Sequence, residues 1–432
     1  MINRKLIAVM LFIAAFLELD AQTNDKESRF GIQVSGFVRN DFFLDSRLTV
    51  ASREGSFLLW PENVLPDDSG GDINDLFNFN FLSVNTRLTA NITGPDAFGA
   101  RISGLIETDF FGQANDNIGM LRLRHALVRM NWENSELLIG QYWNPLFITA
   151  NYPSTVSLNA GTPFNSFARN PQIRFTARLG KMEIIAAALA QRDYANYASG
   201  GPGLAATASP SYLRNSARPD LHLQVHYQFS SGSGAEVAFG AASAYKRIVP
   251  RLIAGGYLWP LGTIQVDEKV DGFTAVLFGR ISTQKFTLKL YTRYGENITD
   301  LLAPGGYAAI IPPEPGIYSL DYIPLRSISY WFDISAAKGR LQPGLFAGYL
   351  VNRGSGNSSV TPALIFGRVT DIGSMVRISP RVNFTSGRIK LSGEMEFTRA
   401  NYGNGTYNAF AIPQDQNAVD NFRILSTVIF SF

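Results

Sequence analysis

Three imidazoles, His125, His222 and His226, and no cysteine are available for chemistry in the 432 residues. His222 and His226 share a face of a predicted strand four residues apart. At about 3.3 Å per residue that is too wide for one metal ion to take both without distortion. A hydrolase would need a serine beside one of these rings and an orienting carboxylate or amide, and no serine-bearing motif accompanies them. The run Asp67-Asp68-Ser69-Gly70-Gly71-Asp72-Ile73-Asn74-Asp75 has the oxygen ligands of a calcium site without EF-hand spacing, so a solvated acidic loop tip is expected. Arg29-Phe-Gly31 and Tyr402-Gly-Asn-Gly405 lack the strand-to-helix setting that phosphate binding requires. No enzyme activity, cofactor or metal is expected, and a formal charge of +3 points to no nucleic-acid partner.

What remains is a set of charged side chains that alternate with apolar ones. Leu82, Val84, Leu88 and Ile92 oppose Ser83, Asn85, Arg87 and Thr89. Leu221, Leu223, Val225, Tyr227 and Phe229 oppose His222, Gln224, His226 and Gln228, and 173–179 and 376–385 split the same way. If the apolar face meets lipid, the polar face lines a wet lumen. Sorted by this parity, the inward cations are Arg39, Arg87, Arg101, Arg122, Arg124, Arg174, Arg178, Lys246, Lys285, Lys289, Arg293, Arg377, Arg381, Arg388, Lys390 and Arg423. The inward anions are Asp41, Glu107, Asp109, Glu183, Glu236, Asp333, Glu394 and Glu396. Cations in excess along a pore wall bias it towards anions; the other reading is that many pair with wall carboxylates and stiffen the structure. The predicted pore-lining set is Arg87, Arg101, Arg122, Arg124, Arg174, Arg178, Arg377 and Arg381, with Glu107 and Asp109.

The elements that must carry these residues are strands whose connections alternate between short and long. Short ones fall at 93–97, 133–135, 179–181, 230–234, 282–284, 338–340 and 386–387. Long ones cover roughly 46–78, 112–119, 144–170, 193–218, 248–269, 297–325, 353–373 and 400–419. This predicts an all-β chain: a transmembrane antiparallel β-barrel of about 16 strands with short periplasmic turns and long extracellular loops. Asp420 to Phe432 reads as a final amphipathic strand, with Phe422, Ile424, Val428, Phe430 and Phe432 on one face. Its terminal Phe resembles the signal for outer-membrane insertion. At the other end, Arg4-Lys5, the apolar run Leu6 to Leu17 and Leu19-Asp20-Ala21 read as a secretory signal peptide, residues 1–21. Residues 22–432 then form a single outer-membrane barrel domain.

By count the third long loop is 144–170, with Pro145, Phe147, Tyr152, Pro153, Pro163, Phe164, Phe167 and Arg169. A proline-stiffened loop that dips into the lumen opposite a basic wall would form a constriction and focus the field there; otherwise it is a surface loop with packed aromatics. Pro145, Phe147, Tyr152, Phe164, Phe167 and Arg169 are its candidate constriction residues.

Glu107-Thr-Asp-Phe-Phe-Gly112, then Arg122-Leu-Arg124-His125-Ala126, then Gly140-Gln141-Tyr142-Trp143, resemble in order and spacing the central region of the DcaP-like trimeric porins of Gram-negative outer membranes. The detailed match covers residues 80–180, and the rest agrees in strand pattern. The resemblance implies a 16-stranded homotrimer that passes small anions such as dicarboxylates, with lumen arginines at the constriction. With only Gln22 to Phe30 between the predicted signal peptide and the first predicted strand, the N-terminal coiled-coil extension of some relatives is not expected here. The combined expectation is an outer-membrane porin for passive diffusion of small hydrophilic solutes with a preference for anions, in contact with outer-membrane lipid. A substrate-specific channel for oligosaccharides or hydrophobic solutes, and a structural or adhesive barrel whose loops bind an external partner, are the alternatives.

Overall fold

The computed structural model describes residues 30–112, 115–199, 206–232, 234–255, 263–310, 320–356, 359–360 and 364–432. The predicted signal peptide, 1–21, lies outside them. Among the described residues no helix is long and apolar enough to cross a membrane. Strands dominate, because period-2 alternation of apolar and polar side chains gives each strand two different faces.

The main sheet runs through Gly31–Asp45, Asn78–Leu82 with Arg87–Thr93, Arg101–Asp109, Arg122–Asn131, Ser135–Trp143, Arg169–Leu179, Met182–Leu189, Asp220–Ser230, Glu236–Ile248, Val270–Ser282, Phe286–Glu296, Arg326–Ala336, Leu341–Gly354, Ile372–Ser386, Ile389–Tyr402 and Asn417–Ser431. Asn78–Leu82 and Arg87–Thr93 both pair with the first strand and are two halves of one broken strand. Seventeen segments therefore make a closed antiparallel barrel of 16 strands. Closure joins the last strand to the first, from Phe37↔Ser431 to Asp45↔Arg423, and Gly36 and Phe432 exchange backbone hydrogen bonds of 3.1 and 3.0 Å. Closure leaves no ladder edge unpaired.

Apolar outward positions are exposed on the barrel surface: Leu221, Leu223, Leu277, Leu290, Tyr330, Tyr349, Ile378, Ile424 and Phe430 are all open. The predicted parity holds along most strands. It fails at two ends, because Lys285 and Arg388 lie in the short turns between strands and not on the wall. It also shifts at one bulge, between Glu107/Thr108 and His125/Leu123, where two residues oppose one.

The lumen is not uniformly wet, which corrects the reading of a polar interior. Two segments enter it. The first is the hairpin of Thr49–Ser52 and Phe57–Pro61, whose second strand is wholly buried. The second is 144–168. They pack with the inward Tyr291, Trp331, Phe346, Leu350 and Met375 into one apolar cluster that includes Phe57, Trp60, Phe147, Phe164 and Phe167. Those wall positions are apolar on the inner face because protein, not water, covers them.

Candidate functional site

Segment 144–168 begins with Asn144, whose side chain accepts from Leu146 N at 2.9 Å and starts a short 3-10 turn. Its backbone is then held by inward side chains. Arg280 donates to Ala150 O at 3.0 Å, Lys289 to Tyr152 O at 2.9 Å and to Ser154 Oγ at 2.8 Å. The Glu394 carboxylate accepts Val156 N at 2.7 Å and Ser157 N at 2.9 Å, and Arg39 donates to Val156 O at 2.8 Å. Arg377 donates to Thr162 O at 2.7 Å, Arg293 to Pro163 O at 3.0 Å and Ser329 to Phe164 O at 2.9 Å. All of these but the Ser154 Oγ contact satisfy a backbone group that water would otherwise have to serve. The segment thus crosses the inside of the barrel and is fastened to the wall formed by 270–402 and to the first strand.

Between this segment and the opposite wall lies a cavity of about 500 Å³. Six guanidinium groups border it: Arg39, Arg53, Arg87, Arg122, Arg124 and Arg169. Arg122 reaches Asp109 at 3.1 Å, and Arg124 reaches Glu107 at 2.7 Å and Asp109 at 2.9 Å. Arg39 pairs with Asp41 at 2.7 Å and Arg169 with Asp193 at 2.7 Å. Six cations thus face four carboxylates, and of the four only Glu107 borders the cavity. Several buried polar atoms have no hydrogen-bond partner within the protein: Arg87 Nε, Arg122 Nη1, Arg169 Nη1 and His125 Nδ1. Burial pushes the Asp193 carboxyl up, but the charges of Arg169 and Arg122 and the Arg169 hydrogen bond outweigh it and hold it at about 2.

Aromatic rings complete the border. Trp143 stacks on Phe147 at 4.0 Å, Phe147 on Tyr152 at 5.3 Å, and Phe167 meets both Trp143 and Phe147 edge-on. Guanidinium groups lie over these faces, Arg169 and Arg124 over Trp143, Arg53 over Phe57 and Phe111, Arg87 over Phe37.

The sequence-derived residues divide accordingly. Arg87, Arg122, Arg124 and Glu107 border the cavity with Phe147, Tyr152, Phe167 and Arg169, while Asp109 sits just behind, fully buried. Arg169 opens a wall strand, so it belongs to the wall and not to the loop. Arg174 and Arg178 border a second cavity of about 170 Å³ with Arg129, Glu136, Glu183, His226 and Pro145. Arg101 stands exposed at the short-turn end of its strand, bordering neither. Arg377 and Arg381 do not reach open space. The first is sealed under the inserted segments, bonded to Thr162 O and Leu59 O, and the second is locked to Asp333 at 2.8 Å. Phe164 is likewise closed in against Phe346. The acidic tip satisfies itself, Asp67 accepting Ser69 N, Ser69 Oγ and Gly71 N, each at 2.8 Å. Among the described residues no group of three metal-ligating side chains occurs.

Besides the rings of Phe57, Phe111 and Trp143, the polar cavity residues Arg53 and His125 were absent from the predicted set. Arg53 comes from the first inserted hairpin, where Arg53, Glu54 and Gly55 have φ of 60°, 51° and 85°. The unbroken apolar run Phe57 to Trp60 after this turn was the available signal for a buried hairpin. His125 turns inward because of the bulge; the odd spacing between outward Leu123 and outward Val128 betrays it.

Comparison with solved structures finds the same architecture. The outer-membrane channel DcaP of Acinetobacter baumannii superposes with a TM-score of 0.65 at 15% identity, over 93% of this chain and 97% of that one. The fold is that of the outer-membrane channel DcaP. OmpT of Vibrio cholerae follows it with a TM-score of 0.52 at 10% identity, over 96% and 99% of the two chains. An anion-selective porin from Comamonas acidovorans has 0.51 at 11% identity, over 94% and 100%. No family model matches the sequence, and no curated protein does.

Proposed function

We propose that this chain is an outer-membrane porin through which small hydrophilic solutes, anions in preference, diffuse passively. The observation that carries this reading is the cavity between the inserted segment 144–168 and the wall, where six guanidinium groups outnumber the carboxylates near them. At such a neck low-dielectric walls concentrate the field of fixed charges. The names of the similar structures, an outer-membrane channel and an anion-selective porin, agree with it. Location in the outer membrane after export, and a homotrimer, are part of the proposal. The trimer is supported by the similarity to OmpT in its trimer form, TM-score 0.51, and by the exposed ring cluster of Phe42, Phe79 and Phe81 on the outer face.

Proteoliposome swelling tests the reading. Small mono- and dicarboxylates should enter faster than neutral or cationic solutes of equal size, and equal rates would refute the preference. A second reading, a substrate-specific channel, is favoured by the aromatic border of Phe57, Phe111, Trp143, Phe147, Tyr152 and Phe167. Entry that saturates at low solute concentration would support it over general diffusion.

A further inference from the structure

Strand Arg122–Asn131 keeps its ladder to Arg101–Asp109 up to Asp109↔Arg122, with the bulge at Arg124. On its other edge, the register to Ser135–Trp143 stops at Ala126↔Gln141. Beyond that point Leu123 O and Arg124 O face no partner strand. A carbonyl left unpaired at the depth of a bilayer is costly, so something must donate to these two.

The Gln141 side chain does so. Its Nε2 lies 3.2 Å from Leu123 O and 2.9 Å from Arg124 O. Gln141 is absent from the cavity border, whereas its neighbour Tyr142 is on it. Gln141 therefore shares the outward parity of Ile139 and grips the bulge from the outer side of the wall. Gly140 serves the same junction: its φ is +138°, and a Cβ there would stand 2.2 Å from Ala126 O and 2.6 Å from Leu127 Cα. Gly140 thus fits the last regular rungs of this ladder and Gln141 the bulge beyond them, neither of them lining the solute path.

We propose that Gln141 is a positioning residue of the pore, which pins the bulge at Arg124 and so keeps Arg124 and His125 both turned into the cavity. In a regular strand adjacent side chains point to opposite faces, so only a fixed bulge presents both inward. Without the amide, the strand recovers pairing by letting the bulge migrate, and one of the two residues turns towards lipid. The inference rests on the porin reading for its functional meaning, but its structural content can be tested separately.

The chain has no native cysteine, so Arg124→Cys and His125→Cys give clean single-thiol proteins. Each is made with Gln141 intact, with Gln141→Met, and with Gln141→Glu, which also loses the donor. Folding of each is checked by heat-modifiable gel migration in detergent. Labelling by a membrane-impermeant charged thiol reagent then reads which side chain faces water. With Gln141 intact both positions should react; with either replacement one of them should lose labelling. If both positions react equally in the folded Gln141 variants, or if neither variant folds, Gln141 does not act on side-chain facing and the proposal is overturned. In bilayers Gln141→Met should also lower the anion-to-cation permeability ratio, and should add nothing on top of Arg124→Met. Should Arg124→Met leave that ratio unchanged, the selectivity reading fails while the labelling result still decides the role of Gln141.

Discussion

Arg87 is the cavity guanidinium with the loosest ties. Its side chain is 23% exposed, against 10% for Arg122, 7% for Arg124 and 2% for Arg169. Its contacts to Glu107 and Asp109 are 3.8 and 3.9 Å, beyond hydrogen-bond length. Arg87→Gln removes this charge while keeping a planar polar end. A monovalent anion about 6 Å from the group in water gains about 0.7 kcal/mol from it before screening. With a Debye length of about 10 Å at 0.1 M salt, about 0.4 kcal/mol survives, roughly a twofold change in anion occupancy and the inverse for a cation. The anion-to-cation permeability ratio should therefore drop about fourfold at 0.1 M, and by only about 1.4-fold at 1 M, where the Debye length is about 3 Å. Reversal potentials across planar bilayers at the two mean salt concentrations give both numbers. An unchanged ratio at low salt, or an equal change at both concentrations, would refute the placement of Arg87 as a loosely paired charge on the solute path.

Three further outcomes are expected. Excising the middle of segment 144–168 should raise single-channel conductance and weaken selectivity together, because one structure sets both the bore and the local field; unchanged conductance in a folded barrel would place the constriction elsewhere. Glu394→Ala leaves Val156 N and Ser157 N without their acceptor, at about 1–3 kcal/mol for each unsatisfied group, so the inserted tip should loosen and the open-channel current should flicker. A quiet current of wild-type amplitude would contradict that. Asp193 is held at about 2, below its unfolded value, so its contribution to stability is complete above about pH 4, declines below that and is gone once pH falls through about 2. Residues 190–196 should accordingly stay protease-resistant at about pH 3, and their release there would show that the Arg169–Asp193 pair does not hold them.

Barrel, strand number and connection lengths were legible because alternation and turn chemistry are local properties written along the chain. Leu221 to Phe229 could be sorted into two faces without any knowledge of its neighbours, and the structure keeps that sorting. Destinations inside the lumen were not legible. Arg87 and Arg377 have the same parity and the same chemistry, yet one borders open space and the other lies beneath Thr162 and Leu59. That difference depends on where two inserted segments fall, which is a matter of long-range packing. The apolar inward residues Tyr291, Trp331 and Phe346 mark the covered side, and their departure from a polar inner face was the overlooked hint. His125 was hidden by a single-residue register shift, which reverses the face of every residue beyond it. Arg53 lay in a loop, where parity says nothing.

The proposed function requires an open, water-filled passage whose narrowest part is net positive. Single-channel recording of the purified protein in a planar bilayer under a KCl gradient tests it most directly. Ohmic steps are expected, with a reversal potential displaced towards the chloride equilibrium potential and a displacement that shrinks as mean salt rises. Absence of steps from a folded barrel, or a reversal potential displaced towards potassium, would contradict it.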